Sequence, residues 1–189
     1  MLLGLFFLAQ QATAQKRALE ISLLHTQTTL PWKKLPAHSL HPGLKLSYLS
    51  KKNPSKHWVR EVQVGYLYHS ELFKIAHAGY GFRYELFRQN NSFQLQPGFS
   101  IGPILERPVA TVFENNNGEW EQTRAAWQLK GFASLMLKAS YQMPGCDNLH
   151  VGAGISVWVQ APYVAQLTTI LPHRNYEIAL RYNFKTKNL

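Results

Sequence analysis

Hydrophobic and polar positions alternate with period two along most of this chain. Between Trp58 and Phe87, Val62, Val64, Tyr66 and Tyr68 alternate with Glu61, Gln63, Gly65 and Leu67. After a short break Ala76, Ala78, Tyr80, Phe82, Tyr84 and Leu86 alternate with His77, Gly79, Gly81, Arg83 and Glu85. This period predicts two β-strands joined by a short turn. One face of the hairpin carries large apolar and aromatic side chains, the other glycines and charges.

The same alternation recurs at about 18–25, 44–49, 93–102, 130–141, 149–160 and 176–184, which predicts eight strands in all. Pro97 cannot donate to a ladder, so a bulge or local break is expected there. The connections after the first, fifth and seventh strands are long, and the others are short. Asn115-Asn116-Asn117-Gly118, in the longest, is expected to form the tip of a hairpin lifted out of the sheet. His25, His41, His69, His77 and His173 are expected at the rim on the side of the odd-numbered connections, with His38 in the first loop. Strands eight, one, two and three are neighbours in a closed barrel, about 4.8 Å apart, which sets His173, His25, His41 and His69 on one arc. Neutral imidazoles suit zinc, copper, iron or nickel, so these four are the candidate metal ligands. The competing expectation is that they hydrogen-bond to loop backbones.

Gly65, Gly79, Gly81, Gly98, Gly102, Gly152 and Gly154 all fall on the polar face. An eight-stranded barrel has an interior just wide enough for side chains, so glycines belong inside and the bulky residues outside. That is the arrangement of a membrane barrel, in which the outward face is apolar. The expected fold is all-β, an eight-stranded antiparallel up-and-down transmembrane β-barrel. A soluble lipocalin-like ligand-binding barrel is the rival, with the two faces exchanged.

Composition agrees with this picture. A chain of 189 residues, 46% of them hydrophobic, allows one folded domain. No run of about eighteen apolar residues offers a transmembrane helix. Residues 1–14, with an apolar core from Leu2 to Ala9 and Ala12-Thr13-Ala14 before Gln15, read as a secretory signal peptide, leaving 15–189 as the barrel domain. The single cysteine, Cys146, forms no disulfide framework and reads as a loop residue.

His41-Pro42-Gly43, Gly65-Tyr66-Leu67-Tyr68-His69, Gly79-Tyr80-Gly81-Phe82-Arg83-Tyr84 and Leu171-Pro172-His173 resemble the small, mostly uncharacterised outer-membrane barrel proteins of Bacteroidetes-type bacteria. The ending Tyr182-Asn183-Phe184 resembles the aromatic signal that such barrels present to the outer-membrane barrel assembly machinery. The resemblance implies a fold and a location, the outer membrane of a Gram-negative bacterium; it implies no catalytic residue and no cofactor.

Lys45, Glu61, Arg83, Glu85, Lys138, Glu177 and Arg181 all fall on the inward face. Unpaired charge is costly there, so they are expected to pair with one another, which disfavours a small transporter or porin. Some eight-stranded barrels modify lipid A with Ser or His on the barrel wall, and His69-Ser70 and Ser156 are the available residues. The His-x-Ser-Asn arrangement of the deacylases is missing, and a non-enzymatic structural or envelope-interaction role is expected. The formal charge of +10 suits outer-membrane lipid and the phosphates of lipopolysaccharide. Export and membrane-type strands argue against nucleic acid.

Overall fold

The computed structural model describes residues 16–28, 41–51, 57–69, 73–86, 92–109, 112–116, 119–123, 126–162 and 170–184. The expected signal peptide, His38 and Ser70 lie outside the described residues. The strands are β1 (Lys16–Thr28), β2 (Pro42–Lys51), β3 (Trp58–Tyr68), β4 (Phe73–Tyr84), β5 (Phe93–Pro108), β6 (Val112–Asn116), β7 (Glu119–Thr123), β8 (Gln128–Gln142), β9 (Leu149–Ala161) and β10 (Leu171–Asn183). Eight of them close into an antiparallel barrel in the order β1-β10-β9-β8-β5-β4-β3-β2, while β6 and β7 pair only with each other. Asn116 is opposite Glu119, so β6 and β7 form a hairpin in the expected place.

β2 and β3, β4 and β5, and β8 and β9 follow one another at the end where β1 begins and β10 stops, here the turn end. β1 and β2, β3 and β4, β5 and β8, and β9 and β10 follow one another at the opposite, loop end. At the turn end Gly145, with φ of 77°, lets the β8–β9 connection close on itself, Leu149 N–H donating to Cys146 O at 2.9 Å.

Facing follows the alternation. Glu20, Ser22 and Leu24 are buried while Leu19, Ile21 and Leu23 are outside, and β3, β8, β9 and β10 repeat the division. The outward face is the reverse of a soluble protein's: Leu23, paired with Ile178, is 65% exposed, Ile178 66% and Leu135 70%. No contiguous apolar belt of this kind is stable in water; it is the lipid-facing surface of a transmembrane barrel. Aromatic rings cluster outward at the turn end, where Trp58 meets Tyr84 edge-on (centroids 5.1 Å apart) and Tyr182 meets Phe184 (5.5 Å). Tyr66 and Tyr68 stand outward near the loop end. Such girdles match the two water–lipid interfaces.

The strands run longer than the alternation alone marks, and three expectations change with them. Pro97 makes no break, because it faces Leu137 in register and lies beyond the last β4–β5 pair, Arg83 with Gly98, where no donor is required. The gap in that ladder falls instead between the pairs His77–Ile104 and Tyr80–Ile101, opposite Gly102 and Pro103. Residues 171–174 belong to β10, so His173 is a strand residue facing Trp158 rather than a rim residue. His77 likewise leaves the rim: β4 already begins at Phe73, which carries it four residues into the barrel.

Candidate functional site: the barrel interior

The inward side chains form three layers. Nearest the loop end, Leu24, Leu67, Phe73, Ile75, Ile104, Phe132, Trp158 and Leu171 make one buried apolar cluster. His77 packs between Phe132 and Trp158, with centroids 5.6 and 5.7 Å away. His173 packs against Trp158 (5.0 Å) and Phe73 (5.3 Å). The glycines opposite make room: a side chain at Gly79 would come within 2.8 Å of the Phe132 ring. Beside this plug, Glu106 of β5 accepts from Lys130 Nζ at 2.9 Å and from Gln160 Nε2, and Gln160 Oε1 lies 3.2 Å from His173 Nε2.

The middle layer is ionic. Arg83 of β4 donates to both oxygens of Glu20 on β1 (2.8 and 3.1 Å) and to both oxygens of Glu61 on β3, through Nε at 2.8 Å and through Nη2. Lys138 of β8 bridges Glu20 (2.6 Å) and Glu177 of β10 (2.5 Å), and Lys45 of β2 completes the chain on Glu177 at 2.6 Å. Opposite charges thus alternate as Glu61, Arg83, Glu20, Lys138, Glu177, Lys45 across six strands. Each of these six charges contacts a partner of opposite sign, which offsets the loss of hydration that isolated charges would suffer. Gln63, Ser100 and Ser134 span the remaining width by hydrogen bonds of 3.0 and 2.7 Å.

The third layer, at the turn end, is open. A vestibule of about 450 Å³ is lined on one side by Ala18, Leu49 and Val59 and on the other by Gln94, Asp147, Asn148 and Arg181; Lys51 and Glu85, 2.5 Å apart, stand at its wall.

The inward charges expected to pair therefore do so, with one exception in Arg181. Glu20 was missed, although its place opposite Leu19 and Ile21 is the signal that finds it. Of the four rim histidines, three come together: His41 stacks on His69 with ring centroids 3.5 Å apart, and His25 stacks on His41 at 6.5 Å, its Nδ1 accepting from the His41 amide at 3.4 Å. His173 lies apart from them, across the Phe73 ring. Among the described residues no group of three or more His, Cys, Asp or Glu side chains is placed to hold a metal ion. Of the candidate nucleophiles, Ser156 faces inward on β9 and makes no hydrogen bond to a histidine.

Glu20, Glu61, Glu85, Glu106 and Glu177 are held in interior ion pairs, whereas Arg60, near the turn end, and Lys74, Arg107 and Arg174, near the loop end, follow the outward alternation. Lys74 and Arg107 are direct cross-strand partners, and Lys74 Nζ lies 5.6 Å from the centre of the outward Tyr68 ring.

These features define the class of eight-stranded transmembrane barrels with a filled interior. No family model matches the chain, and no curated protein matches it in sequence. Among solved structures it is similar to the crystal structure of Neisserial surface protein A, at 11% identity and a TM-score of 0.61 over 91% of this chain and 98% of that one. It is also similar to Ail, the attachment invasion locus protein of Yersinia pestis, at 14% identity and a TM-score of 0.51 over 91% of this chain and all of that one. At these identities the likeness is one of fold.

Proposed function

We propose that this protein is a non-conducting, non-enzymatic barrel of the Gram-negative outer membrane that anchors and displays its loop end at the cell surface. The observation that carries the reading is the pairing of an apolar outer belt with an interior closed by both an aromatic plug and an ionic layer. In this orientation the loop end faces outward and the turn end, with the start of β1 and the end of β10, faces the periplasm, as short periplasmic turns and long external loops require. The outward cations at the loop end stand where lipopolysaccharide phosphates lie. Tyr182-Asn183-Phe184 at the end of the last strand is the segment the assembly machinery would engage. The motifs around His41-Pro42-Gly43 and Gly79-Tyr80-Gly81 support a place among the small barrels of Bacteroidetes-type bacteria.

Fractionation combined with one substitution tests the membrane assignment. Wild type is expected in the detergent-extracted outer-membrane fraction, with a heat-dependent shift on unboiled gels. Ile178→Arg, a charge in the middle of the belt, should cost about 2–4 kcal/mol of insertion and deplete the shifted form. Recovery of full-length wild type from the soluble periplasm, or an Ile178→Arg variant as stable as wild type, would contradict the reading.

A further inference from the structure

We propose that the turn-end vestibule binds a small amphipathic anion, a carboxylate or phosphate monoester on a short apolar body, whose charged group docks on Arg181. Five other lumenal cations already hold a carboxylate: Lys45, Lys51, Arg83, Lys130 and Lys138 all make ion pairs of 2.9 Å or less, and Arg17 also lines the vestibule. Arg181 makes no such pair. Its guanidinium donates only to neutral acceptors, Gln94 Oε1 at 2.8 Å and Gln96 Oε1 and Ser140 Oγ at 3.3 Å each, and its Nε has no hydrogen-bond partner. Yet the residue is only 5% exposed. Glu20 is directly across the β1–β10 ladder, but both its oxygens are taken by Arg83 and one also by Lys138.

A buried guanidinium with no carboxylate in direct contact is poorly compensated, and carboxylate and phosphate are the groups that match its fork. The space to supply one is present, since Arg181 lines a vestibule whose volume of about 450 Å³ is ordinary for a small-molecule site. His150, the cross-strand neighbour of Arg181 on β9, is 4% exposed, and its Nδ1 also lacks a hydrogen-bond partner. The two carboxylates of the vestibule do not occupy Arg181: Glu85 is held by Lys51, and Asp147, in the β8–β9 turn, accepts from Gln142 at 3.3 Å. Ala18, Leu49 and Val59 form a separate apolar cluster on the facing wall, which suits an apolar body rather than a bare ion.

The test uses the full-length protein in a neutral detergent, with benzoate and phenyl phosphate as probes and benzamide as the uncharged control, read by calorimetry and ligand-observed NMR. Saturable binding of at least one anion is expected, with benzamide at least tenfold weaker; which anion binds tighter tells a carboxylate source from a phosphate one. Arg181→Gln strands no carboxylate, so its heat-dependent gel shift should persist while anion binding falls at least tenfold. Arg60→Gln, an outward cation at the same end, should bind as wild type does. Equal binding of benzamide and benzoate by wild type, no saturable anion binding up to roughly 10 mM, or undiminished binding by a folded Arg181→Gln variant would each overturn the proposal. The comparison of charged and uncharged probes needs no variant, and neither arm depends on which way the barrel sits in the membrane.

Discussion

Arg83 and Glu20 meet in the middle of the barrel from strands that are not neighbours, the guanidinium donating to both carboxylate oxygens at 2.8 and 3.1 Å. Because Arg83 also holds Glu61, removing it leaves two buried carboxylates short of a partner. Arg83→Met should cost about 3–5 kcal/mol, seen in the urea midpoint of the detergent-folded protein. Glu61→Met with Arg83→Met should be milder than Arg83→Met alone, since Glu20 keeps Lys138. Additive losses in the two single variants would show that the ionic layer is not coupled.

How much of this was legible in the sequence depends on what each feature rests on. Facing rests on period two alone, so Leu23, Leu135 and Ile178 could be placed outside and Arg83 and Lys138 inside without knowing a single strand partner. Depth rests on where strands begin, which alternation marks poorly when the first residues are Pro or polar. His173 was therefore read as rim because Pro172 suggested a connection, and His77 because the start of β4 at Phe73 was not evident. The vestibule and the lone charge of Arg181 depend on the stagger of all eight strands, which no local pattern carries.

A second prediction concerns close approach between strands. A Cβ at Gly102 would fall on the Ala78 carbonyl oxygen and lie 2.7 Å from Gly79 Cα, at the gap in the β4–β5 ladder, whereas at Gly131 the nearest atom would be 3.7 Å away. Gly102→Ala should therefore lose about 1–3 kcal/mol and Gly131→Ala almost nothing, measured as the temperature of the gel shift. Equal midpoints for the two variants would contradict the β4–β5 register.

Acid sensitivity should trace to the histidine stack. His69, just beyond β3, is 2% exposed, and burial, with the nearby His41 adding to it, lowers its pKa from the ordinary 6.5 to about 4. The unfolded chain therefore takes up this proton before the folded one does. The stability His69 contributes is full above about pH 6.5 and is lost as pH drops toward 4. His69→Phe keeps the ring against His41 and Phe73 and should lessen the fall of unfolding free energy over this window. A pH slope identical to that of wild type would assign the sensitivity elsewhere.

Lys74 and Arg107, adjacent across β4 and β5 on the outward face, should hold lipopolysaccharide phosphate. Each cation near an anionic surface is worth about 1 kcal/mol, so Lys74→Gln with Arg107→Gln should lower co-purifying lipopolysaccharide by roughly tenfold or more. The lumenal pair Lys130 and Glu106 serves as the control, since exchanging it for Gln and Gln should leave bound lipopolysaccharide unchanged. Undiminished lipid in the outward variant would contradict the site.

The central claim is that the barrel spans the membrane with its interior closed, and planar-bilayer recording of the detergent-folded protein tests it most directly. With insertion verified by protection of the belt from protease, the account predicts a baseline without steady conductance. Reproducible open channels in the wild-type protein would contradict it.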